Sequence, residues 1–343
     1  MATLVTTITE TLRYKGKLGQ WSWVLHRVTG LGVVLFLILH VIDTSWAAFY
    51  PGQYAKAIGE YQSPLFTLGE FALVAAIIYH AMNGLRIVLF DFKPEWWHLQ
   101  QKAAMIVLGA SVVLLVPTFA IMFGHVLHYY DGNPDLVTIS DIIQSQAQFL
   151  LGFVVIIAAA LLLSLAYALI TGETGTPARP NRRPSQFDAW MWRFMRLSGL
   201  LIVPLVFGHL AMVHLIQGVF DITTSGHSIV GTDAVNSSGK AVEFVGRRWD
   251  YLVAGVAIWR IYDGALLALV VVHGFNGLRY VVNDYAHDRV VRRALTLAIA
   301  FGAAALIILG FAALLAGVDE TAYGIAKEGL ESFSKVPTSP FGG

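Results

Sequence analysis

Apolar residues in this chain come in seven long runs, near positions 22–48, 66–91, 102–128, 147–171, 192–219, 259–284 and 293–317. A helix rises about 1.5 Å per residue, so each run is long enough to cross a hydrocarbon layer about 30 Å thick. The pattern predicts an all-α integral membrane helical bundle of about seven transmembrane helices. Composition points the same way: 56% of the residues are hydrophobic and only 13% charged, where a soluble domain carries roughly 25% charge. Residues 1–20 are polar, contain Arg13, Lys15 and Lys17, and lack the apolar core of a cleaved leader. The first run therefore reads as the first span.

Charge sets the expected orientation. Most Lys and Arg fall in the N-terminal arm, the 91–102 loop, the 172–196 segment and the 285–293 loop. Arg179, Arg182, Arg183, Arg193 and Arg196 cluster in the third of these, and Arg289, Arg292 and Arg293 in the last. The 129–146 loop carries Asp131, Asp135 and Asp141 and neither Lys nor Arg. Because basic loops stay in the cytoplasm, the N-terminus is expected inside and the C-terminus outside a cell inner or plasma membrane. Lys240, Arg247 and Arg248, in the long outer segment 220–258, are the exception. A net charge of +1 gives no reason to expect a nucleic-acid partner.

Two parts of the chain repeat one another. Arg27-Val28-Thr29-Gly30 is followed by His40, thirteen residues after the arginine, and Arg196-Leu197-Ser198-Gly199 by His209 at the same distance. His80-Ala81-Met82-Asn83-Gly84-Leu85-Arg86 aligns with His273-Gly274-Phe275-Asn276-Gly277-Leu278-Arg279. Asp91 and Asp284 each lie eleven residues beyond the histidine, and Glu70 and Asp263 ten before it. Residues 1–130 and 189–343 thus form two three-span halves. Joined directly, two three-span units would be inverted, so the extra span in the connector 131–188 restores a parallel arrangement.

An ionisable residue inside a span is costly, which makes it a functional candidate. A lone histidine would most simply hydrogen-bond a neighbouring helix. Four at matched places ask for more. His40 and His209 lie about 20 Å beyond their arginines, and His80 and His273 about 16 Å from the aspartates that end their spans. This gives an inner pair, His80 and His273, and an outer pair, His40 and His209, each drawing one residue from each half. Zinc asks for four small ligands, whereas two imidazoles suit haem iron. Cysteine is absent, which excludes cysteine-ligated clusters and the Cys-x-x-Cys-His attachment of c-type haem. The group expected is haem b, two copies and at least one. Gly30, Gly32, Gly84, Gly199, Gly208, Gly274 and Gly277 would let a flat macrocycle approach, and Arg27, Arg86, Arg196 and Arg279 are cationic donors for its propionates.

At this point the residues resemble a known family. His26-Arg27-Val28-Thr29-Gly30 and Tyr79-His80-x-x-x-Gly84-x-Arg86, with Asp91, are similar to the larger membrane-anchor subunit of succinate dehydrogenase and fumarate reductase, respiratory complex II. His273-x-x-x-Gly277, ending at Asp284-Tyr285, is similar to the smaller anchor. The chain looks like the two anchors fused. The resemblance implies haem ligation by His80 with His273, and by His40 with His209 where there is a second haem. It places His26, Arg27 and Arg196 at the cofactor. It also implies a quinone, menaquinone being the type expected, near Arg27, Ser22, Trp23, Asp284 and Tyr285; the family's serine four residues before the arginine is Trp23 here. Partners would be the flavoprotein and iron–sulfur subunits, without which the chain would not oxidise succinate. A second haem would give Glu70 and Asp263 a proton-handling role at an outer quinone site. Capping, loop solvation, or an Asp263–Arg260 pair is the plainer reading of those acids.

Other classes fit parts of the pattern. A histidine-relay proton or solute transporter would have discontinuous helices at mid-membrane. A cytochrome b anchor of another oxidoreductase, or a haem-free anchor, would keep the topology and change the partner or the cofactor.

Overall fold

A computed structural model describes residues 16–62, 64–130, 139–173 and 185–326. Of the charged residues used above, Arg13, Lys15, Asp131, Asp135, Arg179, Arg182 and Arg183 lie outside the described residues, as does the side chain of Asp141. The long helices are α1 (Leu18–Phe49), α3 (Pro64–Phe92), α4 (Gln100–Tyr130), α5 (Ile139–Thr171), α6 (Gln186–Leu210), α8 (Ile258–Tyr285) and α9 (Arg289–Ala316). Each contains a segment long and apolar enough to cross a membrane, so the chain is a multi-pass membrane protein of seven spans. Two short helices, α2 (Pro51–Tyr61) and α7 (Ala241–Asp250), lie between spans.

Local signals explain where these helices start and stop. Ser185 accepts a hydrogen bond from the Asp188 N–H at the head of α6, and Asp288 accepts from Val290 and Val291 at the head of α9. Such side-chain acceptors satisfy N–H groups that a helix leaves free at its start. Pro51 opens α2, where a missing N–H costs nothing. At the end of α9, Gly317 has φ 70°, and a Cβ there would sit 2.6 Å from the Arg260 guanidinium. The fifth span is longer at its head than its apolar run suggested. It also does not stay α-helical, since Ala211–Ile216 form a π-helical turn.

Packing sorts the spans into a ring and an outer layer. Helix α1 contacts α3, α3 contacts α6, α6 contacts α8, and α8 contacts α1, closing a four-helix ring with two members from each half. The starts of α1 and α6 lie beside the ends of α8 and α3, where Arg27 pairs with Asp284 and Arg196 with Asp91. The two halves are therefore parallel. Helix α4 lies against α3 and α1, and α9 against α8 and α1. The connector helix α5 packs on α9, with the Ser164 hydroxyl donating to the Val290 carbonyl at 2.7 Å and Arg293 stacked over Tyr167. Outward faces of α4 and α5 present Val113, Val116, Leu162, Leu169 and Ile170, as lipid-facing helices do.

Residues 217–257 form a cap over one end of the ring. It contains two small antiparallel hairpins and α7, which buries Val242, Phe244, Val245 and Trp249 against α2 and α9. Two of the three cations that broke the charge pattern are structural here. Arg247 is held beside Glu243 at 3.4 Å, and Arg248, only 4% exposed, lies over the Trp259 ring at 4.2 Å. Burial pushes the Glu243 carboxyl up, but hydrogen bonds from Ser238 and Ser237, with Arg247 beside it, outweigh that and hold it below the usual carboxylate range.

Candidate functional site

The ring encloses a cavity of about 690 Å³. It runs from the end where Arg27, Arg196 and Asp284 sit to the capped end, where Trp249, Asp263 and His214 sit. His26, His40, His80, His209 and His273 all line it. The four histidines picked from the repeat, scattered over more than 230 positions of sequence, thus share one interior space.

At the arginine end the two halves build matching arrangements. In the first half, a Cβ on Gly30 would lie 2.8 Å from His80 Cε1, so the ring sits directly against bare backbone. The Thr29 hydroxyl is 3.4 Å from His80 Nδ1, and the His26 carbonyl 3.0 Å. In the second half, a Cβ on Gly199 would lie 3.4 Å from His273 Cε1, and the Ser198 hydroxyl is 2.9 Å from His273 Nδ1. The cations match too. Arg27 pairs with Asp284 and lies 3.9 Å from the Trp23 ring centroid. Arg196 pairs with Asp91 at 2.7 Å and lies 3.7 Å from the Trp192 ring. Each ion pair joins one half to the other. A tryptophan four residues before the arginine in both halves is a repeat feature that the sequence comparison passed over.

The halves also differ. His26 stacks on His80 with ring centroids 3.9 Å apart, and its counterpart in the second half is Met195. Asp284 is followed by Tyr285, whose ring centroid is 5.9 Å from the Arg27 guanidinium, whereas Asp91 is followed by Phe92. Ser22 faces away from Trp23. It is 4% exposed, donates to the Asn83 side chain at 2.7 Å and lies 3.0 Å from the Tyr79 hydroxyl, joining α1 to α3. Trp23 and Tyr285 are largely exposed. Several buried polar atoms at this end have no hydrogen-bond partner among the described residues: the ring nitrogen His26 Nδ1, and the donors Arg27 Nη1 and Arg86 Nε and Nη1. Arg279 is partly committed, to Asp188 at 3.0 Å.

At the capped end the His40 and His209 ring centroids are 5.9 Å apart, with the planes nearly perpendicular at 77°. Glu70 pairs with His214, a cavity-lining residue in the π-helical turn. Asp263 accepts from Trp249 Nε1 at 3.0 Å and is not paired with Arg260, which holds Asp250 and the Trp249 and Leu314 carbonyls. Neither acid caps a helix or sits in a solvated loop.

Among the described residues no group of three or more His, Asp or Glu side chains converges on one point. The cavity is long and apolar, with glycine backbone under two of its histidines and unpartnered cationic donors at one end.

Comparison with known proteins agrees with this architecture. The family model of the succinate dehydrogenase/fumarate reductase transmembrane subunit matches residues 8–121 and 173–310, two stretches on either side of the connector. The succinate dehydrogenase 2 membrane subunit SdhC of Mycobacterium tuberculosis is 33% identical over 135 residues, 38% of this chain and 99% of that protein. A succinate dehydrogenase hydrophobic membrane anchor subunit of Halobacterium salinarum is 30% identical over 105 residues, 29% of this chain and 80% of that protein. A further anchor subunit, from Archaeoglobus fulgidus, is 28% identical over 101 residues. No solved structure matches the chain. Each relative is nearly spanned by well under half of this chain, as expected if two anchor lengths are joined in one polypeptide. The chain belongs to the succinate dehydrogenase/fumarate reductase transmembrane-subunit family and is a membrane anchor subunit.

Proposed function

We propose that the chain is a two-haem cytochrome b anchor that carries electrons between the iron–sulfur subunit of succinate dehydrogenase and a membrane quinone. The observation that carries this reading is one apolar cavity, inside the four-helix ring, lined by two pairs of histidines with one member of each pair from each half. His80 and His273 would hold the haem nearer the arginines, and His40 and His209 the one nearer the cap. His26, Arg27, Arg86 and Arg196 are the donors for the propionates of the first. When bound, haem supplies reversible one-electron iron chemistry. The protein's part is to hold it by the two halves at once, keep water from it and set its electrostatics.

The quinone site is read at the arginine end. The Arg27 guanidinium donates to Asp284 and stacks on Trp23, which leaves Nη1 as a buried donor without a partner. Quinone reduction places negative charge on the carbonyl oxygens, and a fixed cation there stabilises it. Asp284, half-exposed at the mouth, and the Tyr285 phenol are positioned to pass protons inward. Trp23 supplies a flat apolar wall, while Ser22 serves the α1–α3 contact. Residues 1–130 and 189–343 act as the two anchors, with the arginine end facing the cytoplasm and the catalytic subunits. Glu70, through His214, and Asp263 are placed for proton handling near the outer pair.

The assembled complex tests this. Asp284→Asn and Arg27→Gln should lower succinate-driven quinone reduction on the order of 10²-fold, while reduction of an artificial acceptor at the flavoprotein stays near wild type. Full quinone turnover in both variants would move the quinone site elsewhere.

A further inference from the structure

The Arg-x-Thr/Ser-Gly sequence occurs once in each half, and its last two residues touch the histidine of the following ring helix both times. We propose that Thr29-Gly30 and Ser198-Gly199 set the tautomer and ring orientation of His80 and His273, so that each ring presents a free Nε2 to iron. The proposal rests on the haem reading above and adds a role for residues which that reading leaves as helix packing.

The hydrogen-bond directions carry the argument. A neutral imidazole has one N–H and one acceptor nitrogen, and its partners decide which is which. At His80 the nearest acceptor is the His26 carbonyl, 3.0 Å from Nδ1. A carbonyl only accepts, so the proton is on Nδ1 and Nε2 keeps its lone pair. The Thr29 hydroxyl spends its own proton on the Leu25 carbonyl at 2.7 Å, leaving oxygen lone pairs toward Nδ1 at 3.4 Å. Among the described residues no carbonyl lies at His273 Nδ1, and Ser198 takes that place at 2.9 Å. That contact by itself allows either direction; with Nε2 given to iron the proton is on Nδ1, Ser198 accepts it, and its own proton turns to the Met195 carbonyl 3.5 Å away. Ser198 is 1% exposed, so water does not compete. The glycines complete the seat. The Cβ clearances of 2.8 Å at Gly30 and 3.4 Å at Gly199 show that each ring edge lies over the backbone just past the hydroxyl.

Two consequences distinguish this from packing. An acceptor on Nδ1–H makes an imidazole a better electron donor to a metal, which favours the oxidised state. Removing the hydroxyl should therefore make the inner haem easier to reduce. The effect should also be larger at Ser198, where no described carbonyl backs the hydroxyl, than at Thr29, where the His26 carbonyl remains.

The test is potentiometric titration of the purified full-length chain in Ser198→Ala, Ser198→Thr and Thr29→Val, followed optically, with low-temperature electron paramagnetic resonance of the ferric haems. Expected are a positive shift of the inner haem's midpoint in Ser198→Ala, a smaller one in Thr29→Val, wild-type behaviour in Ser198→Thr, and an unchanged outer haem throughout. Loss of the inner haem in Ser198→Ala, with the outer haem kept and Ser198→Thr normal, is the same result at larger amplitude. Unchanged inner-haem potential and resonance in Ser198→Ala would overturn the proposal, as would Ser198→Thr shifting as far as Ser198→Ala. A wild-type chain that binds no haem fails the underlying reading, whereas a haem-loaded wild type with silent variants fails this proposal alone.

Discussion

That the four matched histidines face one interior was readable from the repeat, and the ring brings all of them to a single cavity. What a single histidine touches was not readable. The stack of His26 on His80, the serine at His273 and the π-helical turn that brings His214 to the cavity all depend on helix rotation. A one-step error in rotation is about 100°. Ser22 shows the cost. It lies beside Trp23 in sequence, yet it faces Asn83 and Tyr79 across the α1–α3 interface. Glycine substitutions check the residue-scale account, and the clearances predict unequal outcomes. Gly30→Ala puts a methyl 2.8 Å from His80 and should displace the ring, costing about 1–3 kcal/mol of stability. Gly199→Ala, at 3.4 Å, should be the milder change. Thermal unfolding of both variants in detergent measures this; equal losses would contradict the unequal seats.

Elements are tied together by charge at one end and by the cap at the other. Asp91 and Arg196 join α3 to α6, and both are less than one-third exposed. Losing one partner should fall between the roughly 1 kcal/mol of a surface pair and the 3–5 kcal/mol of a buried one. Asp91→Ala should therefore lower the melting temperature, and the exchange Asp91→Arg with Arg196→Asp should recover much of the loss. No recovery would mean that the pair acts through something other than attraction. The reciprocal Arg–Asp pairing was latent in the repeat, since each acid ends the helix beside the other half's arginine. The cap was not legible. Its short hairpins and α7 take their form from burial against α2 and α9, so Arg247 and Arg248 read as an unexplained break in the charge pattern. The cap should also respond to acid. Glu243 titrates below its unfolded value of about 4.3, so its contribution is complete above that pH and lost as pH falls through the folded value. Amide exchange across 236–250 should rise in that acid range, and Glu243→Gln should abolish that pH dependence. Unchanged exchange in the wild type would remove Glu243 as the cap's acid-sensitive tie.

At the scale of the whole molecule, seven spans and two parallel halves were legible because lipid forces every backbone polar group into helices and because the repeat survived in both halves. The connector was legible as topology, although its seat on α9 was not. The missing cysteines are an experimental advantage, since any introduced thiol is unique. Lys93→Cys should react with a membrane-impermeant maleimide only in inside-out vesicles, and Ser238→Cys only in right-side-out ones; the reverse would invert the orientation argued from charge. The central claim, that the ring holds two haems by histidines from both halves, is tested most directly by haem stoichiometry. A reduced-minus-oxidised spectrum with pyridine haemochrome quantitation of the purified chain should give two b haems per polypeptide. His80→Ala or His273→Ala should remove one of them, and His40→Ala or His209→Ala the other. A folded chain that contains no haem would contradict the account and leave a haem-free anchor in its place.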